Sequence, residues 1–246
     1  MTDNNGVNNN SSNVIDIRGL TKTFMVDGRA HTVLQDLDLT VPAHEITVLL
    51  GRSGCGKTTL LRLIGGLDTE YSGTISKPQD AKTAFVFQEA RLMPWLTVSQ
   101  NIAFGLHKKD INPNEINRLI SLTGLDGFAD AYPQQLSGGM SQRTALARAL
   151  ALNPKFILMD EPFAALDHFT REKMQQALLD IHKNSGCGVL FVTHSIDEAL
   201  AIGHRIVILE DKKVKKVYPI AEAWRKTGSE EERQALRQDI LDSIQS

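Results

Sequence analysis

The stretch EITVLLGRSGCGKTT, residues 45–59, leaves this chain few ways to fold. An apolar run stops at a loop with glycines at 51, 54 and 56, then resumes as KTTLLRLIGGL. That order reads as a buried strand, a loop and a helix stopped by Gly65 and Gly66. The loop satisfies G-x-x-x-x-G-K-T as Gly51, Gly56, Lys57 and Thr58, with Gly54 adding backbone freedom inside it. Glycines let successive backbone N–H groups turn inward as an anion nest, to which Arg52 and Ser53 add amides, while Cys55 is tolerated within this nucleotide-binding loop. The helix beginning near Lys57 aims its positive end at the same place, and Lys57 reaches the outer phosphates. Of the paired hydroxyls of Thr58 and Thr59, that of Thr58 suits Mg²⁺. The spacing therefore predicts a nucleotide phosphate chain as ligand.

Strand and helix patterns alternate around that unit. VIDIRGL and VLQDLDLTV precede it as strand-like runs, the second with Leu37, Leu39 and Val41 on one face, and TAFVFQ follows as a buried strand. From about 95 to 152 the pattern is helical, through SQNIAFGL, PNEINRLISLTGL and SGGMSQRTALARALAL. FILMD and GVLFVTH then flank the amphipathic REKMQQALLDIHKN, the order of a parallel sheet. RIVILEDKKVKKVYPI reads as two strands about a charged turn. SEEERQALRQDILDSIQS reads as a charged helix that docks through Leu236, Ile240 and Ile244. The expectation is an α/β chain: an Asn-rich flexible tail over 1–13, one domain over 14–220 with a helical insert over about 95–152, and a helical extension over 221–246.

Charge and cysteine usage narrow the classes. A net charge of -2 argues against a polyanion as main partner, and no nucleic acid is expected. Cys55 and Cys187 show neither a C-x-x-C nor a metal-ligand spacing, which fits a reducing compartment. No secretory leader opens the chain and no run approaches 18 apolar residues, so work at a membrane would require a partner to hold it there.

FILMDE ends in two adjacent carboxylates, costly at a strand end unless they hold something. Asp160 can enter a magnesium shell and Glu161 can polarise an attacking water, the division of labour of phosphoryl transfer to water. LSGGM, residues 136–140, then sets Ser137, Gly138 and Gly139 before SQRTALARALAL as a second anion-binding helix start. One nucleotide does not need both from the same subunit.

With these motifs in order, residues 14–220 resemble the ATP-binding subunits of ABC transporters. The resemblance implies a RecA-like P-loop NTPase core with an antiparallel β subdomain and an inserted α-helical subdomain, ATP and Mg²⁺ as ligands, and ATP hydrolysis coupled to transmembrane transport. It implies that Ser137, Gly138 and Gly139 cap the γ-phosphate on a facing subunit, a second copy or a paralogous ATPase. Met140 stands where Gln is commoner in the family, which touches only contacts of that fifth side chain. By the same resemblance Gln88 matches the glutamine that touches magnesium and attacking water, and His194 the switch histidine near the γ-phosphate. Ala164, Ala165, Leu166 and Asp167 match the D-loop, with Ala164 where Ser is frequent. Phe24 lies where the family stacks an aromatic on adenine; a strand residue packing into the core is the alternative. Met93, Trp95 and Leu96 are either core of the insert or part of a groove for a membrane subunit.

RLMPWLTVSQNIAFGL and LSGGMSQRTALARAL are similar to one branch, the ATPases of importers for nitrate, sulfonates and taurine; other small organic anions stay open. That branch implies integral membrane permease subunits, a solute-binding protein acting through them, and a place on the cytoplasmic face of the cell membrane. The chain is too short for the extra β domain of the family's sugar importers. The rival class, a soluble ABC-type ATPase acting on DNA or ribosomes, usually adds coiled coils or a second ATPase domain. A phosphate-loop kinase would leave LSGGM and His194 without work.

Overall fold

The structure, a computed structural model, describes residues 13–164, 166–221, 224 and 228–245. The tail expected over 1–13 lies outside the described residues except for Asn13, as do positions 222, 223, 225–227 and 246 of the expected extension.

Strands β1 (Val14–Val26) and β2 (Arg29–Pro42) form an antiparallel hairpin. Asp27 and Gly28 join them with φ of 50° and 74°, the positive pair that a two-residue type I′ turn requires. With β4 (Ser72–Ser76) they make a three-stranded sheet in the order β2-β1-β4. The second sheet runs β5 (Thr83–Val86), β6 (Phe156–Asp160), β7 (Gly188–Thr193), β3 (Ile46–Leu50), β8 (Arg205–Glu210), β9 (Lys213–Pro219). Its first five strands are parallel, and β9 closes the edge antiparallel to β8.

Side chains alternate across this sheet, and each face has its own core. Leu49, Leu158, Val192 and Leu209 pack against Leu60, Leu61 and Ile64 of α1 (Lys57–Ile64) and against Ile15, Leu37 and Leu39 of the antiparallel sheet. Val48, Leu50, Met159 and Phe191 pack on the opposite face with the remaining helices. The parallel sheet is therefore a middle layer, and burying each of these side chains contributes about 1.5–3 kcal/mol.

Three α-helices lie between β5 and β6, each with a capping side chain. Thr97 and Gln100 form a capping box at α2 (Val98–Ala103); Asn112 precedes Pro113 at α3 (Pro113–Leu122); Ser137 accepts from Met140 N at α4 (Gly138–Ala151). Helices α5 (His168–Ser185) and α6 (Ile196–Ile202) follow β6 and β7. Helix α7 (Glu230–Gln245) lies on the domain with Ile240 fully buried and Leu236 and Ile244 against the core; Tyr218 and Ser243 share a 2.8 Å hydrogen bond there. Among the described residues no helix is long and apolar enough to cross a membrane.

Candidate functional site

The chemistry-bearing residues gather where the parallel strands end, the usual place for ligands in such sheets. The glycine loop leaves β3, which lies between β7 and β8; Asp160 ends β6 and His194 follows β7. Gly51 is fixed as glycine because a Cβ there would strike the Leu209 carbonyl oxygen. Gly56 sits at φ 104°, with room for no side chain against Leu34. The loop curls around Lys57, 5% exposed, whose Nζ donates to the carbonyls of Gly51 at 2.7 Å and Arg52 at 2.8 Å. Arg52, Ser53 and Gly54 are exposed and Thr59 half-buried. Burial pushes the Cys55 thiol up, against the opposing pull of Lys57, and its side chain packs against the core on the α1 face of the sheet.

Thr58 Oγ1 donates to Asp160 Oδ1 at 2.9 Å. Burial pushes the Asp160 carboxyl up; the Thr58 hydrogen bond opposes that and neighbouring Glu161 adds to it. A half-buried carboxylate beside a hydroxyl is a hard-oxygen pair that fits Mg²⁺, which takes few protein ligands and completes its shell with phosphate and water. Glu161 adopts φ 43°, a left-handed backbone uncommon outside glycine, and its N–H donates to Val192 O at 3.0 Å. That turn brings its Oε2 to 3.0 Å from His194 Nδ1.

The other expected residues sit on separate elements. Gln88 is exposed just past β5, and its carbonyl accepts from Gln142 Nε2 at 3.1 Å. Phe24 is 37% exposed on β1 and lines a cleft of about 520 Å³ with Thr59 and Arg62, so it is not core packing. Asp167 caps α5, and the hydrogen bonds from Thr170 hold its carboxyl below the usual range. Ala164 is exposed and Ala165 lies outside the described residues. Ser137 and Gly138 are exposed while Gly139 is buried against Thr170. Among the described residues no hydrogen bond or ion pair joins 137–139 to the loop at 51–59. Trp95 is 69% exposed, with Met93 and Leu96 half-buried beside it, which removes Trp95 from the core alternative.

Two sets of supporting side chains went unread in the sequence. Lys22, 2% exposed, donates to Asp68 Oδ1 at 2.8 Å and to the Glu70 carbonyl at 2.6 Å while its Nζ lies 4.7 Å from the centre of the Phe24 ring. It thus fastens the strand bearing Phe24 to the chain leaving α1. Gln142 and Arg148 of α4 hold the segment around Gln88 by its carbonyls, Gln142 at Phe87 and Gln88, Arg148 at Ala90 and Arg91. A single sequence contains no signal for the first; the second was visible only as polar positions inside an otherwise core-facing helix.

The family model "ABC transporter" matches residues 34–164. Over 233 residues the chain is 44% identical to an aliphatic sulfonates import ATP-binding protein SsuB of Bacillus subtilis, covering 91% of each. It is 45% identical over 216 residues to an uncharacterized ABC transporter ATP-binding protein of Methanocaldococcus jannaschii, covering 83% of this chain and 81% of the relative. Among solved structures, the dimeric post-hydrolysis state of the ATP-binding cassette MJ0796 bound to ADP and Pi matches with TM-score 0.75 and 33% identity, over 84% of this chain and 99% of that one.

Proposed function

We propose that this chain, which belongs to the ABC transporter family, is the ATPase subunit that drives import of a small organic anion of the sulfonate class. Family membership makes it an ATP-binding ATPase coupled to transport; the solute, the metal, the residue roles and the membrane partners belong to the proposal. The observation that carries it is the pairing of Thr58 with Asp160 and of His194 with Glu161 at neighbouring strand ends, in a chain 44% identical to a sulfonate importer's ATPase.

The amides of residues 51–58 and Lys57 hold the β- and γ-phosphates of ATP, and Phe24 offers its ring to the base. Mg²⁺ would be held by Thr58, Asp160 and Gln88 and would offset the charge of the phosphates. Glu161 takes a proton from the attacking water and His194, oriented by its contact with Glu161, lies toward the γ-phosphate. Ser137, Gly138 and Gly139 face a second copy and cap the phosphate bound there, with Asp167 on the same face; the dimeric state of the cassette neighbour supports this arrangement. A paralogous ATPase with the same motifs would serve equally as that partner. Exposed Trp95 and half-buried Met93 and Leu96 suit contact with a permease subunit, which would hold the chain peripherally at the cytoplasmic face of the membrane. A solute-binding protein would act through the permease.

The experiment is uptake of a labelled alkanesulfonate by cells expressing this chain with its neighbouring membrane and binding proteins. Uptake that needs ATP and stops with Lys57→Ala supports the reading. ATP hydrolysis without sulfonate uptake, alongside uptake of a chemically different solute, rejects the sulfonate class.

A further inference from the structure

Two charged side chains lie apart from the chemistry above and are nonetheless packed away from solvent. Glu198 of α6 is 6% exposed, and about two-thirds of the Arg171 side chain is covered. Arg171, in the first turn of α5, donates from Nη2 to the Leu166 carbonyl at 2.9 Å, directly ahead of Asp167. Its Nε lies 3.3 Å from Glu198 Oε1, an ion pair rather than an aligned hydrogen bond. Glu198 Oε2 accepts from Thr193 Oγ1 at 2.5 Å, and Thr193 Oγ1 accepts from Ser195 N at 3.0 Å. The hydroxyl of Thr193 therefore fixes the chain on both sides of His194.

A buried carboxylate is expensive to desolvate and is retained where its partners satisfy it, so this Arg–Glu–Thr chain has little freedom to rearrange. It also joins two turns that have different tasks. One carries Asp167, which the ATPase reading sets toward the second copy; the other carries His194, beside Glu161.

We infer that Arg171 and Glu198 are positioning residues that lock the Asp167 turn to the His194 turn, so that docking of the second copy and alignment of the histidine occur together. The inference rests on the ATPase reading above. Neither side chain hydrogen-bonds or pairs with the loop at 51–59 among the described residues, so their loss leaves ATP binding intact while spoiling the alignment needed for hydrolysis. Misplacement of a reacting group by about 1 Å can cost on the order of a hundredfold in rate.

The test uses the full chain with Arg171→Met, Thr193→Val and Thr193→Ser, measuring ATP bound per chain at saturation and turnover per bound ATP. Thr193→Val keeps the shape and removes the hydroxyl; Thr193→Ser keeps the hydroxyl. Turnover per bound ATP falling roughly tenfold or more in Arg171→Met and Thr193→Val, with KM for ATP within about twofold and Thr193→Ser near the parent, is the expected result. Parent-like turnover per bound ATP in both, or a loss matching only the loss of bound ATP, overturns the inference. A parent chain that binds ATP without hydrolysing it rejects the ATPase reading instead.

Discussion

His194 Nδ1 stands 3.0 Å from Glu161 Oε2, across the ends of two neighbouring parallel strands. The contact depends on the left-handed turn at Glu161, whose N–H is tied to the Val192 carbonyl one strand over. A carboxylate placed this way is oriented by the imidazole and left free on its second oxygen to accept a proton from water.

Replacing Glu161 by Gln keeps the size and one acceptor oxygen and removes the proposed base. Turnover should fall by a factor of about 100 or more, while ATP stays bound and the dimer accumulates. Steady-state hydrolysis, with size exclusion in ATP, checks this; undiminished turnover would remove Glu161 from its assigned role.

The Lys22–Asp68 pair should matter to stability and to the base site together. Asp68→Asn keeps an acceptor for the buried ammonium but removes its counter-charge, at a cost of about 2 kcal/mol, below the roughly 3–5 kcal/mol of a fully buried pair because Asp68 keeps some exposure. The Lys22 hydrogen bond holds the Asp68 carboxyl below the usual range. A depressed folded pKa contributes stability that is present above the unfolded value and is lost as pH falls through the folded one. Urea unfolding of parent and Asp68→Asn should differ by a constant amount near neutral pH, and the two should converge as the medium becomes more acidic than Asp68's ordinary titration range. KM for ATP should rise with kcat little changed, because Phe24 loses its anchor; an unchanged KM would separate Lys22 from base binding.

Gln142 supplies both donors that meet the Phe87 and Gln88 carbonyls, and is itself 4% exposed. Gln142→Leu leaves those carbonyls without their donors at a cost of about 1–3 kcal/mol. The segment bearing Gln88 loosens from α4, so turnover should fall more than ATP affinity does. Denaturant titration and a kcat-against-KM comparison read the two effects separately.

Legibility in the sequence followed locality. The glycine loop, the apolar β6 ending in Asp160 and Glu161, and the Ser137 helix start were readable because each motif is contiguous and its chemistry is set by neighbours in the chain. The Asp27–Gly28 hairpin turn is equally local, a D-G pair between two strand-like runs. Lys22 and Asp68 are 46 residues apart, and only the packing of the antiparallel sheet against α1 brings them together. The exposure of Trp95 likewise depends on what the insert covers, which periodicity does not encode.

Gly138 and Gly139 look interchangeable in the sequence and are not. A Cβ on Gly138 meets open space, whereas one on Gly139 would lie 2.6 Å from Thr170 Cγ2, in the first turn of α5. Gly139→Ala should therefore destabilise the fold by about 1–2 kcal/mol through overpacking, while Gly138→Ala should not. Removing the opposing methyl should relieve the clash, so Gly139→Ala with Thr170→Ser should recover most of the loss. Thr170 N also caps to Asp167, and that backbone hydrogen bond survives the serine change, so the rescue reads steric contact alone. Thermal unfolding of the two single variants and the double variant measures it. Equal destabilisation by Gly138→Ala, or no recovery in the double variant, would show that the close approach of α4 and α5 does not set which of these glycines is required.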